Sequence, residues 1–413
     1  MSSAKSRRSP IVFCSFDYSR GFRALALAAV TLSLGCVAAD SPNPALRKFD
    51  PEAMRDTVER LAKEMLVPGA VVILRTPNEE FRHAYGVTTY RGSTPTDFDQ
   101  HVRVGSNTKT WTGTVILQLV QEGKLRLSDP VSRYRPDVPN GAAITIEHLL
   151  TMRSGLYNYS LSPELNKAID EQPDRSWTAE QLLEVSFKHA PVFAPGAKFG
   201  YSNTNTILLG LIAEKLEGRS LAEIMRDRLF LPVGLKNTLL PVINSSVIPE
   251  PYSHGYMYGT NMLTLDKPAL PESMQAAARS GRLAPGDQTH VNPSWTWAAG
   301  EGISTANDLV VWVQALVSGR LLDPEFQRKR LASVRPIDPN DANQASYGWA
   351  IAKFGNLYGH TGEMPGYNAF MGHDPVNNVS LVVWTNLAPA VDGRDPATTI
   401  ARTLIGMIYP AAE

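Results

Sequence analysis

The sequence predicts an α/β (α+β) domain in which an antiparallel sheet flanked by helices is joined to a mostly helical second lobe. Three observations predict it. The chain opens with an amphipathic helix and two strand-like runs, helical periodicity dominates its middle, and short apolar runs between tight turns return near its end. A sheet whose first strands are N-terminal and whose last are C-terminal assigns about 50–104 plus 295–413 to the sheet lobe. About 105–294 then forms the helical lobe, and the seam between the two is the natural place for a site.

The opening helix is read over Ala53–Leu66, where Met54, Val58, Leu61, Ala62 and Met65 recur every three or four residues and Val67-Pro68-Gly69 ends the run. Ala70–Leu74 is a compact β-branched strand. Phe81–Val87 is a second, after a turn near Pro77-Asn78. In the middle, Thr112–Gln121 is apolar on one side and stops near Gly123. Thr178 with Gln181 three residues on reads as a capping box, and Thr206–Leu216 is a helix that Gly218 stops. Strands are expected again at Tyr347–Ala352, Tyr367–Met371 and Val379–Thr385, and Thr398–Ile408 is a closing helix.

With 413 residues, 43% of them hydrophobic, the chain can fill a sizeable core. Forty basic side chains balance forty acidic ones without a long basic block, which argues against a nucleic-acid partner. Residues 1–39 read as an export signal: Lys5, Arg7, Arg8, Arg20 and Arg23 flank the apolar run Ala24–Leu34, and small residues follow. Cleavage after Ala39 would release a soluble protein. Cleavage before Cys36, in Ser33-Leu34-Gly35-Cys36, would leave a thiol that lipid tethers to a membrane. Both readings are extracytoplasmic. The only cysteines, Cys14 and Cys36, lie in this region, so residues 40–413 contain no disulfide and no thiol nucleophile.

Chemistry concentrates in three places. Ser106-Asn107-Thr108-Lys109 opens a helix, and a spacing of three puts the lysine nitrogen on the same face as the serine oxygen. Desolvation would lower the lysine pKa enough for it to take the serine proton. Taken alone the spacing is more common as an N-cap beside a solvated lysine. Tyr201-Ser202-Asn203 precedes the helix at Thr206; the phenol can shuttle a proton, and the asparagine amide can bind a substrate carbonyl or fix the lysine. His360-Thr361-Gly362 lies between strands, where glycine admits an extended substrate and the histidine supplies a donor or a modest positive charge near Tyr201. Eight histidines with no close pair among these candidates point to no metal centre, and nothing calls for a cofactor.

In this order the three motifs resemble the serine β-lactamase and penicillin-binding-protein family. The likeness is closest to the secreted D-alanyl-D-alanine carboxypeptidases of actinomycetes and to class C β-lactamases. Glu147–Leu156, Ala194-Pro195-Gly196, and Ser294-Trp295 ahead of Ala299-Gly300 extend the resemblance over nearly the whole chain after the signal. It implies a β-lactamase/transpeptidase-like fold and an acyl-enzyme mechanism. In that mechanism Ser106 attacks a carbonyl, Lys109 and Tyr201 manage the proton, and Asn203 contacts a substrate amide. Trp295 forms a wall of the cleft, and the amides of Ser106 and of a residue near Glu363 make the oxyanion hole. The substrates implied are peptides of the peptidoglycan type, esters or β-lactams. A non-catalytic binder or scaffold is the alternative of another class, and the oligomeric state stays open.

Two positions depart from the carboxypeptidase pattern. Glu363 follows Gly362 where threonine is usual, and Ala352 falls where an arginine would hold a substrate carboxylate. Lys353, one residue along, would compensate only from the other side of the strand. The expectation is retained catalytic machinery with rebuilt carboxylate recognition, and better turnover of neutral esters or amides than of free peptide termini.

Overall fold

The computed structural model describes residues 46–410 except 243–244 and 341–344. The expected export signal, with Cys14, Cys36 and both cleavage points, lies outside the described residues. Among those described, no helix is long and apolar enough to cross a membrane.

The main sheet holds eight antiparallel strands: β1 Gly69–Arg75, β2 Glu80–Gly86, β3 Arg335–Pro336, β4 Ser346–Tyr347, β5 Ala352–Phe354, β6 Leu357–Met364, β7 Tyr367–Asp374 and β8 Val379–Thr385. Their order is β2-β1-β8-β7-β6-β5-β4-β3, so the N-terminal hairpin joins the C-terminal meander through the pairing of β1 with β8, Ala70 opposite Thr385. Strands β1, β7 and β8 are buried on both faces, which is why their apolar residues do not simply alternate with exposed polar ones.

Helices cover the two faces. Helix α1 (Pro51–Glu64) starts where the Asp50 carboxylate accepts the Ala53 N–H and Pro51 presets the first turn. Its buried stripe, Met54, Val58, Leu61 and Ala62, packs with Ile400, Ala401 and Leu404 of the closing helix over Val72, Leu74 and Val383. The other face, through Val71, Ile73, Met371 and Trp384, meets helices α2 (Thr108–Gln121) and α4 (Ala306–Ser318). Helix α3 (Asn203–Glu217) packs on α2 within the helical lobe and ends at Gly218, whose φ of +67° makes the left-handed stop. Helix α5 (Pro324–Ala332) and closing helix α6 (Pro396–Ile408) complete the frame. The capping box at Thr178 and Gln181 is present, each side chain meeting the other's backbone N–H.

One expected strand is a turn. Tyr347–Ala352 does not run as one extended segment: β4 ends at Tyr347, the Gly348 N–H donates to the Ile351 carbonyl, and β5 begins at Ala352. The cause is tertiary. Ala350 takes a left-handed φ of +49° so that its methyl lies against Gly113 of α2, a fit that only a glycine on the helix permits.

Candidate active site

The site is built where the start of α2 meets the end of β6. Gly105 has φ +52°, and a Cβ on it would stand 2.6 Å from the Glu363 amide nitrogen. A Cβ on Gly362 would collide with the Val104 carbonyl in the same way. Two glycines thus let the Ser106 turn and the His360–Glu363 segment touch backbone to backbone. Because β5 pairs with β6 only through Leu357, Tyr358 and Gly359, the stretch His360–Met364 keeps a free edge on that side.

Ser106 sits in a 3-10 turn, Gly105–Asn107, ahead of α2, and no side chain caps this turn. It is therefore not the N-cap that the bland reading of the spacing makes it. Lys109 is completely buried; its Nζ lies 2.9 Å from Ser106 Oγ and donates to the Ala299 carbonyl at 2.7 Å. No carboxylate pairs with it among the described residues. Burial therefore holds its pKa well below the ordinary lysine range, which favours the amine form that can accept a proton.

Tyr201 stands across from this pair, its ring centroid 4.9 Å from Lys109 Nζ. The ring is 37% exposed to the cleft, yet the crowded surroundings of the hydroxyl push its pKa up, against the opposing effect of Ser106, and Glu363 pushes it further. No nearby positive charge brings it down. Tyr201 is therefore a neutral hydroxyl here.

Asn203 starts α3, anchored by Asn158, whose Oδ1 accepts its backbone N–H at 3.0 Å. Its Nδ2 donates to Ser160 Oγ at 3.0 Å, and its buried Oδ1 has no partner among the described residues. So Asn203 does not fix the lysine, which Ala299 does instead; the free oxygen is suited to accept a substrate N–H. Trp295 lines the same cleft, and its carbonyl accepts the Tyr159 hydroxyl at 2.8 Å.

His360 is buried and carries no charge. Its Nδ1 meets the Thr361 carbonyl and its Nε2 the Tyr347 hydroxyl at 3.1 Å, while burial, reinforced by Lys109, takes its pKa down to about 3. The expected positive charge beside Tyr201 is absent, because the buried ring would lose its hydration on charging and Lys109 stands close by. Strand alternation turns Thr361 and Glu363 to the other side. There the Glu363 carboxyl stands at the cleft edge near Asp395, and desolvation together with this neighbouring carboxyl raises its pKa.

The cleft encloses about 350 Å³, and Ser106, Asn203, Trp295 and Glu363 all line it. Glu363 is the only ionisable side chain among its lining residues. Ala352 is buried beside Met152 and Tyr347, and Lys353 turns its ammonium over the Tyr358 ring, 5.1 Å from the centroid, so Lys353 does not take the place of the arginine. Among the described residues no group of three His, Cys, Asp or Glu side chains is placed to hold a metal. Ala299, Asn158 and Tyr347 escape sequence reasoning: one acts through a carbonyl that every residue carries, and the other two are brought in by tertiary packing.

Fold and centre together define the class of serine proteins built on the β-lactamase/transpeptidase fold. Within it, the chain belongs to the β-lactamase family, whose profile matches residues 54–405. It is 26% identical over 321 residues to Penicillin-binding protein 4* of Bacillus subtilis, covering 76% of this chain and 66% of that protein. The chain spans 60% to 66% of the length of the first curated relatives it matches. Among solved structures, a D-stereospecific amidohydrolase from Streptomyces sp. superposes with a TM-score of 0.70 at 30% identity, over 83% of this chain and 97% of that one. The D-amino acid amidase of Ochrobactrum anthropi, complexed with D-phenylalanine, gives 0.71 at 26%, over 86% and 98%.

Proposed function

We propose that the protein is a serine hydrolase that works through an acyl-enzyme on D-configured amides or esters whose leaving group carries no carboxylate. The observation that carries the mechanism is the buried Lys109 amine 2.9 Å from Ser106 Oγ. Its lone pair takes the serine proton as Oγ bonds to the substrate carbonyl, and the oxyanion that forms is met by the Ser106 and Glu363 amides. Tyr201 hands its proton to the departing amine or alkoxide and is reprotonated from Lys109. Water, activated in the same way, then attacks the ester and frees the acid and Ser106.

The substrate class follows from charge. A terminal carboxylate would enter a cleft whose lining side chains include one carboxyl and no cation, a poor exchange for its lost hydration. The amidase names of the two solved relatives support the same reading. D-alanyl-D-alanine carboxypeptidase activity on peptidoglycan-type peptides is the second reading, favoured by the likeness to a penicillin-binding protein, and β-lactams fit the same acylation centre. We also propose that the protein acts outside the cytoplasm, released after Ala39 or tethered through a lipidated Cys36; the mass of the mature N-terminus separates the two.

The deciding experiment compares initial rates on a D-amino acid amide or neutral ester with those on its matched peptide carboxylate, alongside labelling by a fluorescent β-lactam or fluorophosphonate. Preference for the neutral substrate and labelling lost in Ser106→Ala are expected. A strong preference for the carboxylate overturns the substrate class, and absence of both labelling and turnover overturns the enzyme in favour of a binder.

A further inference from the structure

Behind the cleft lies a second layer of polar residues that the reaction above does not use. Arg330 of α5 is completely buried, and no carboxylate lies within salt-bridge distance among the described residues. Its Nη1 donates to Thr114 Oγ1 of α2 at 2.9 Å and its Nη2 to the Ala350 carbonyl at 3.4 Å. Ser333, just past the end of α5, donates its hydroxyl to the Arg330 carbonyl at 2.6 Å and accepts the Trp349 N–H at 2.9 Å. The turn between β4 and β5 is thus clamped from two sides, and that turn carries Tyr347.

Tyr347 is the residue that touches His360. The Thr361 carbonyl can only accept a hydrogen bond, so His360 Nδ1 carries the hydrogen and Nε2, left with a lone pair, accepts from the Tyr347 hydroxyl. Both rings face Tyr201: Tyr347 is edge-on to it with centroids 6.4 Å apart, and His360 lies at 6.5 Å. The groups around His360 are therefore Lys109 from α2, Tyr201 ahead of α3, Tyr347 from β4 with Arg330 behind it, and Glu363 farther along its own strand.

We propose that Tyr347 and Arg330 are positioning residues: Tyr347 fixes the His360 imidazole as its Nδ1–H tautomer against Tyr201, and Arg330 locks the turn carrying Tyr347 onto the helix that carries Lys109. Lys109, and through Tyr347 and His360 the surroundings of Tyr201, are in this way referred to a single buried guanidinium. Burying an arginine without a carboxylate partner is costly, and its partners here, a threonine hydroxyl and a carbonyl, are those that tie the turn to α2. His360 then serves as a neutral shape-holding ring instead of a charge.

The inference rests on the acyl-enzyme reading but has a readout independent of activity. In the full chain labelled with ¹⁵N-histidine, the His360 resonances, assigned by their loss in His360→Gln, are expected to report the Nδ1–H tautomer and to stay constant from about pH 5 to 8. The Nε2–H tautomer, or titration near the ordinary histidine value, overturns the assignment whether or not the enzyme is active. Tyr347→Phe is expected to lower kcat about tenfold with KM within about twofold, and to add an ionisation to the acid limb of kcat/KM. An unchanged kcat and pH profile in a folded Tyr347→Phe overturns the role of Tyr347. Arg330→Met is the direct test of the clamp. If it does not fold, Thr114→Val removes one guanidinium partner and is expected to lower kcat in the same direction by a smaller factor; unchanged kcat in that variant overturns the part given to Arg330. Loss of Ser106-dependent labelling in the wild type would instead strike the acyl-enzyme reading and leave the tautomer measurement standing.

Discussion

Gly105 and Glu363 lie backbone against backbone, so close that a methyl on the glycine would fall 2.6 Å from the Glu363 nitrogen, 2.8 Å from its oxygen and 2.9 Å from its carbonyl carbon. The contact sets how the Ser106 turn sits against Glu363, and the amides of these two residues are the ones proposed above to receive the oxyanion. Gly105→Ala adds both the clash and a strained left-handed φ, and is expected to cost on the order of 1–3 kcal/mol of stability. Acylation should fall further than stability does. Thermal melting and the rate of covalent labelling, measured on the same preparation, check this; equal labelling rates in variant and wild type would refute it.

Ser106 and Lys109 make separable predictions. Ser106→Ala should abolish turnover while changing stability by less than about 0.5 kcal/mol, because no capping bond is lost. Lys109→Met should also abolish acylation, by about a thousandfold or more, yet fold, since the side chain it replaces is completely buried with no carboxylate partner among the described residues. A stopped-flow acylation assay and a denaturant titration suffice for both.

The charge of the cleft gives a third. At alkaline pH, where Glu363 is ionised, Glu363→Gln removes the one charged side chain that lines it, and should raise kcat/KM for a peptide carboxylate relative to its neutral analogue by about tenfold, roughly 1.4 kcal/mol. If the ratio does not move, Glu363 takes no part in selection.

A fourth concerns Glu301, completely buried, with neither carboxyl oxygen hydrogen-bonded among the described residues. Burial, only partly offset by Arg103, raises its pKa from 4.5 to about 8. An acid whose folded pKa is raised keeps its proton in the native state while the unfolded chain has lost it. Its contribution to stability is therefore full below the unfolded value and is lost as pH climbs towards the folded one. Between those values wild type should lose up to a few kcal/mol relative to Glu301→Gln. Urea melts of both proteins across that range would show parallel curves if the idea is wrong.

Much of this was legible in the sequence, and what was not has a common cause. Periodicity located α1, β1, β7, β8 and α6 to within a few residues, because each buries a regular stripe or a continuous run, and the turn at Pro77-Asn78 placed β2 beside β1. Tyr347–Ala352 misled because its apolar residues are buried by a turn seated on Gly113, and local pattern does not report a left-handed alanine. In the site, side-chain chemistry and chain order brought Ser106, Lys109, Tyr201, Asn203, Trp295 and His360 onto one list, and the fold gathers them around one cleft. Charge was the weak point. Whether His360 carries a proton, whether Tyr201 is depressed, and whether Lys353 reaches the cleft all depend on burial and strand face, which are properties of the packed chain.

The pairing of β1 with β8 also governs the order in which the molecule can form. The strand that emerges early has its partner roughly 300 residues later, so the main sheet cannot close until nearly all of the chain is available. Until then β1, a run of seven residues with six fully buried in the finished protein, waits with an apolar edge open to any other strand. A chain cut short before Val379 would keep that edge permanently. It should accumulate as aggregate and not as a smaller folded unit, however intact its Ser106 and Lys109 remain.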